Sequence, residues 1–152
     1  MPEPRKQVTA YTDGSCETRT GDGGWAYLLI YNGSRKRASG FEPSTTNNRM
    51  ELTAAVRALE ALREPCHVTL VTDSQYLEKA FTDGWLETWQ RNGWRTAGRS
   101  AVKNQDLWQE LLRQSARHTV AWSWTRGHAG HDGNEEVDGL ALAARKQRRP
   151  VP

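Results

Sequence analysis

An α/β fold, a five-stranded mixed sheet flanked by helices on its faces, is what the sequence predicts, and three observations predict it. The chain opens with three β-rich runs separated by turn signals. It then alternates segments of helical periodicity with short apolar or alternating runs. The resulting order, β-β-β-α-β-α-α-α-β-α, joins the later strands through helical crossovers. Strands joined in that way pair in parallel, whereas the first three make an antiparallel meander.

Each element has its own warrant. Residues 7–12 alternate and are β-rich, and the run stops at Asp13-Gly14-Ser15. After the Gly-rich turn 21–24, residues 25–31 form a continuous apolar run that predicts a buried strand. Asn32-Gly33 is a strong hairpin signal of type I′, leading into a third strand over about 35–41. Thr45-Thr46-Asn47-Asn48 offers caps for a helix reaching about Leu62, which Glu64-Pro65 ends. Residues 67–72 read as a short buried strand and 74–83 as a helix. Gly84 interrupts that helix before a second short one over 85–90. Residues 93–102 read as an irregular basic loop, and Asn104-Gln105-Asp106 opens a helix to about Ala116. Residues 119–124 alternate, with Val120, Trp122 and Trp124 on one side. A Gly/His loop over 126–133 precedes the last helix, about 134–146.

A length of 152 residues predicts a single domain over 1–152, with a basic protrusion at about 90–103 and a flexible tail at about 148–152. No apolar run is long enough to span a membrane, and the N-terminus lacks the apolar core of a signal peptide, so a cytoplasmic location is expected. Cys16 and Cys66 are too few for a disulfide framework or a structural zinc site. Nothing suggests an obligate dimer, and a monomer is expected. The net charge of +3 is a weak pointer to nucleic acid, but its distribution says more. Arg91, Arg95, Arg99 and Lys103 lie together with no acid among them.

The carboxylates carry the chemistry. Asp13 and Asp73 each end a predicted central strand, where open α/β sheets bind their ligands. Glu51 shares a helical stripe with Ala54, Ala55, Ala58 and Leu59, in what the pattern makes the first turn. Asp138 lies among Val137, Ala141 and Leu142 on the last helix. Taken singly, such residues are ordinary turn formers or complements to a helix dipole. Together, two at strand ends and two on apolar helix faces, they need another explanation. Clustered buried carboxylates repel and protonate unless cations neutralise them. Oxygen-only ligation suits Mg²⁺ or Mn²⁺, and paired ions of that kind serve in-line phosphoryl displacement. The residues alone therefore point to a metal-dependent phosphodiesterase acting on a nucleic-acid backbone.

Five runs then match a known pattern in order and spacing over nearly the whole chain. They are Thr12-Asp13-Gly14-Ser15, Thr46-Asn47-Asn48-Arg49-Met50-Glu51-Leu52, Thr72-Asp73-Ser74-Gln75-Tyr76, Gly127-His128-Ala129-Gly130-His131, and Asn134-Glu135 with Asp138. The sequence resembles bacterial-type ribonuclease H, a member of the ribonuclease H-like superfamily. The resemblance implies an endonuclease that hydrolyses the RNA strand of RNA–DNA hybrids with two metal ions, leaving 5′-phosphate and 3′-hydroxyl ends. It makes Asp13, Glu51, Asp73 and Asp138 the metal ligands, with Asp13 bridging both ions, and His128 a mobile proton carrier. His131 reads as structural.

The resemblance also assigns substrate contacts. Asn47, Asn48 and Gln75, with backbone near Cys16, correspond to contacts with the RNA strand. Their amides both donate and accept, as a 2′-hydroxyl requires. The capping reading of Asn47 or Asn48 stands beside this one. Trp85, Trp89 and Trp94, with Arg91 and Arg95, belong to the protrusion implied to grip the DNA strand. Thr46, Trp85 and Asn104 match positions near its backbone. Trp89 and Trp108 read as core. One departure is that Glu17-Thr18-Arg19-Thr20 stands where many members carry a Gly-Asn-Pro type loop, and Arg19 cannot accept a hydrogen bond as asparagine can. The alternatives are an integrase- or resolvase-like DNA nuclease and a catalytically inactive hybrid-binding module.

Overall fold

The computed structural model describes residues 5–125 and 132–152. Three antiparallel strands come first: β1 (Lys6–Cys16), β2 (Gly23–Tyr31) and β3 (Ser34–Glu42). They are followed by α1 (Asn47–Glu60), β4 (Cys66–Thr72), α2 (Gln75–Thr82), α3 (Trp85–Asn92), α4 (Gln105–Ala116), β5 (Thr119–Trp124) and α5 (Asp132–Gln147). The five strands form one sheet in the order β3-β2-β1-β4-β5. The β1/β2 and β2/β3 pairs are antiparallel, and the β1/β4 and β4/β5 pairs are parallel. The expected element order and mixed sheet are thus what forms. Asn32 and Gly33 both have positive φ, at 47° and 80°, as a type I′ turn demands.

Strand alternation sends apolar side chains to both faces. On one face Val8, Ala10, Leu29, Val68 and Leu70 meet Leu52, Ala55 and Leu59 of α1, Leu77 of α2, Leu86 of α3, and Trp108 and Leu111 of α4. On the other, Ala26 and Leu28 pack under Val137, Leu140 and Ala141 of α5. Leu52, Leu59, Leu70, Leu77 and Leu111 are fully buried. Truncating any one of them to alanine costs about 2–5 kcal/mol. His118 is buried within this frame. Its Nδ1 accepts from the Cys66 amide at 3.1 Å and its Nε2 faces the Leu59 carbonyl at 3.2 Å. Burial holds its pKa below the ordinary value, so it serves as a neutral structural link.

Several boundaries differ from expectation for physical reasons. β1 does not stop at Thr12. Its parallel ladder with β4 ends at Tyr11↔Val71, but its antiparallel ladder with β2 continues through Asp13↔Ala26 to Cys16↔Gly23. Asp13 is therefore held by β2 where β4 has already turned away. Nor does Gly14 make a turn. A Cβ there would lie 2.4 Å from the Glu51 nitrogen and 2.4 Å from the Met50 carbonyl carbon, so glycine lets α1 cross directly over the strand. The cap of α1 is Thr46, whose hydroxyl accepts from the Arg49 amide at 3.2 Å. Glu51 consequently lies just past the first turn rather than in it.

The 93–102 segment is a small closed hairpin, with Val102 N–H donating to the Trp94 carbonyl at 3.0 Å and an Arg95↔Ala101 bridge. The tail expected to fray at 148–152 is docked. Ser39 Oγ donates to the Val151 carbonyl at 2.6 Å and accepts from its amide at 2.7 Å, while Arg148 pairs with Asp22 at 2.8 Å. Ser39 offers the partners an isolated tail would lack. His128 and His131 lie outside the described residues.

Gly14→Ala forces α1 away from β1. It is expected to cost about 2–4 kcal/mol in denaturant unfolding and to reduce activity by separating Glu51 from Asp13. Unchanged stability would show that the crossing is not as close as described.

Candidate active site

Four elements deliver one carboxylate each to the same end of the sheet. Asp13 extends from β1 beyond the parallel ladder, and Glu51 comes down from α1 over Gly14. Asp73 sits at the junction of β4 and α2. There the Thr72 hydroxyl accepts from the Ser74 amide at 3.2 Å, and Ser74 Oγ caps α2 through the Leu77 amide at 3.2 Å. One carboxylate oxygen from each of Asp13, Glu51 and Asp73 lies within 4.8 Å of the others. Asp138 of α5 lines the same cavity, of about 570 Å³.

Asp13 is 3% and Glu51 6% exposed, so water does little for either charge. Burial, then the Glu51 charge, pushes the Asp13 carboxyl up to about 10. Burial, then the Asp73 charge, raises Glu51 to about 8. Asp13 Oδ1 accepts from the Gly14 amide at 2.9 Å. Glu51 Oε2 is buried with no hydrogen-bond partner. A buried carboxylate oxygen without a partner, beside two more carboxylates, is the donor set that a hard divalent cation would satisfy. The residues present fit such an ion.

Of the residues read from the sequence as substrate contacts, Cys16, Asn47, Asn48 and Gln75 line this cavity with the four carboxylates. Asn47 and Asn48 are exposed and relieved of capping by Thr46. Thr46 and Asn104 lie off the cavity. Asn104 adjoins it through Tyr76, whose hydroxyl accepts from Asn104 Nδ2 at 3.1 Å and from Trp108 Nε1 at 3.0 Å. Asn104 Oδ1 in turn accepts from Arg49, which also grips Asp106 with two bonds of 3.0 and 2.9 Å.

Trp85, Trp89 and Trp94 form a tilted series that continues to fully buried Trp108, with ring centroids 5.8–6.1 Å apart. All three are half-buried against the core, while Arg91 and Arg95 are exposed beside them. Arg19 is exposed, its amide bonded to Glu17 at 3.2 Å. Sequence reasoning did not single out Ser15, Tyr76 and Arg145, which also line the cavity. Arg145 carried a legible signal, since it stands seven residues after Asp138, two helical turns along the same face.

Carboxylates converging beyond the parallel strands of a mixed sheet define a hydrolase built to work on phosphate esters with divalent cations. The RNase H family model matches residues 5–146. The ribonuclease H of Halorhodospira halophila is 57% identical, over 93% of this chain and 94% of its own. A ribonuclease H of Thermus thermophilus is 52% identical, over 99% of this chain and 91% of its own. The crystal structure of LC9-RNase H1, described as a type 1 RNase H with the type 2 active-site motif, aligns with a TM-score of 0.81 at 35% identity. That alignment covers 99% of this chain and 77% of that one. The chain belongs to the ribonuclease H family, and it is an endoribonuclease by class.

The raised pKa values set a pH dependence. Folded pKa values above unfolded ones mean that the metal-free protein gains stability from these protons below about pH 4 and loses it as pH rises toward 8–10. Asp13→Asn is therefore expected to stabilise the metal-free protein at pH 8, with the gain vanishing near pH 4. Paired melting curves across pH check this, and a constant difference would refute the assignment.

Proposed function

We propose that this chain hydrolyses the RNA strand of RNA–DNA hybrids with two divalent cations, Mg²⁺ foremost and Mn²⁺ as a substitute, leaving 5′-phosphate and 3′-hydroxyl ends. The observation that carries the proposal is the oxygen-only convergence of Asp13, Glu51 and Asp73 in a member of this family. Asp13, Glu51, Asp73 and Asp138, which line one cavity, would hold the cations. When bound, the cations supply the positive charge that offsets the carboxylates and the charge gathering on the phosphate.

The chain's own groups do the orienting. Asn47, Asn48 and Gln75 place amides on the cavity rim, where they can donate to and accept from a ribose 2′-hydroxyl that DNA lacks. Backbone near Cys16 closes the β1 side. The DNA strand would run over α3 and the 93–102 hairpin. Exposed Arg91 and Arg95 meet its phosphates there, and the outward faces of Trp85, Trp89 and Trp94 stack on its sugars. Thr46 and Asn104 meet its backbone closer to the cavity. His128 would carry protons at neutral pH. No described helix is long and apolar enough to cross a membrane, and we read the chain as one that acts alone, as a cytoplasmic monomer.

The test is cleavage of an end-labelled RNA paired with DNA, beside single-stranded RNA, duplex RNA and duplex DNA, with Mg²⁺ or EDTA. Cutting only the hybridised RNA, and only with metal, is the expected result. Cutting of duplex DNA alone would install the resolvase-like alternative, and well-folded protein that binds hybrid without cutting would install the binding module. Asp13→Asn and Asp73→Asn are expected to lower turnover by at least about a thousandfold while hybrid binding persists. Wild-type turnover in either would remove that residue from the ligand set. His128→Ala is expected to slow turnover about tenfold to a hundredfold, and an unchanged rate would remove it from the mechanism.

A further inference from the structure

We infer that Arg145 holds a backbone phosphate of the RNA strand beside the scissile linkage, an inference that rests on the hybrid-cleaving reading above. Among the described residues lining the cavity, Arg145 is the one cation in a wall otherwise made of carboxylates and neutral groups. Its guanidinium donates to Ser15 Oγ at 3.1 Å, a neutral acceptor that uses one of its five donors. It makes no ion pair with a described carboxylate. By contrast, Arg35 and Arg37 are tied to Glu136, Arg49 to Asp106, and the neighbouring Arg148 to Asp22.

The placement is built into the fold. Ser15 of β1 pairs with Gly24 of β2. A Cβ on Gly24 would come within 2.2 Å of the Ala141 carbonyl oxygen and 2.8 Å of the Arg145 nitrogen. Bare backbone at Gly24 thus lets α5 settle on the paired strand ends and brings Arg145 to Ser15, on the same helix face as Asp138. A strand laid across the carboxylates would bring a neighbouring phosphate toward the same cavity. There a planar, permanently charged fork is suited to bind two phosphate oxygens. An arginine whose only task was to tether α5 to Ser15 would not need a charge facing the cavity.

The experiment is steady-state cleavage of hybrid by the parent enzyme, Arg145→Ala and Arg145→Lys. The substrates carry single neutral methylphosphonate linkages at successive positions in either strand. For Arg145→Ala, KM is expected to rise about tenfold with kcat nearly unchanged. The dependence of log KM on log salt should flatten by about one charge, and Arg145→Lys should recover part of the loss. One neutral linkage in the RNA strand, beside the cut, should raise KM for the parent but not further for Arg145→Ala. A parent that cuts hybrid and an Arg145→Ala with the same KM and the same response to every neutral linkage overturn the role of Arg145 alone. A lower kcat and melting temperature at unchanged KM overturn it in favour of a tether, and the same coupling at a DNA-strand linkage overturns the strand assigned here. A parent that does not cut hybrid overturns both readings.

Discussion

The structure depends on an unfavourable contact held in place by favourable ones. Asp13 and Glu51 are both buried and face each other and Asp73 within a few ångströms. Desolvation and repulsion drive their pKa values upward, so in isolation this corner resists ionising. What holds it together is the seating of α1 on β1, where Leu52, Ala55 and Leu59 pack against the sheet and Gly14 removes the one side chain that would prop the two apart. Apolar burial on this scale outweighs the local electrostatic penalty. The stored tension is also what gives the site its appetite for cations.

The cavity opens where the sheet comes apart. β1 and β4 share a parallel ladder only as far as Tyr11↔Val71. Beyond it β1 continues along β2, while β4 turns through Thr72 and Ser74 into α2. The divergence leaves room between the strands, and α1 and α5 close it from opposite faces of the sheet. Each of the four carboxylates therefore answers to a different packing interface.

The tryptophan-rich region ties the basic protrusion to the core. Trp85, Trp89 and Trp94 run on to Trp108 in the core, so α3 and the 93–102 hairpin are anchored through aromatic contacts of about 6 Å. The aromatic packing fixes the backbone from which the exposed Arg91 and Arg95 project. Each of these rings is packed against the core yet keeps part of its surface accessible.

Much of this was legible in the sequence, because it rests on local periodicity and on residues whose burial is chemically anomalous. Alternation, the Asn32-Gly33 turn and helical crossovers determined the element order and the mixed sheet. Glu51 and Asp138 stood out because a carboxylate on an apolar helix face is rarely idle. What only the tertiary structure decided were features set by contacts between distant segments. The sequence could not show that β1 runs on past Asp13, because the reason is β2 and not β1. It could not show that Gly14 and Gly24 serve helix approach, or that the tail docks on Ser39. Nor could it show that Arg145 reaches Ser15, 130 positions away in the chain. Local pattern specifies which residues must be buried and which are anomalous. Only packing decides what each of them meets, because contact distances depend on the space between elements, a quantity that no single segment encodes.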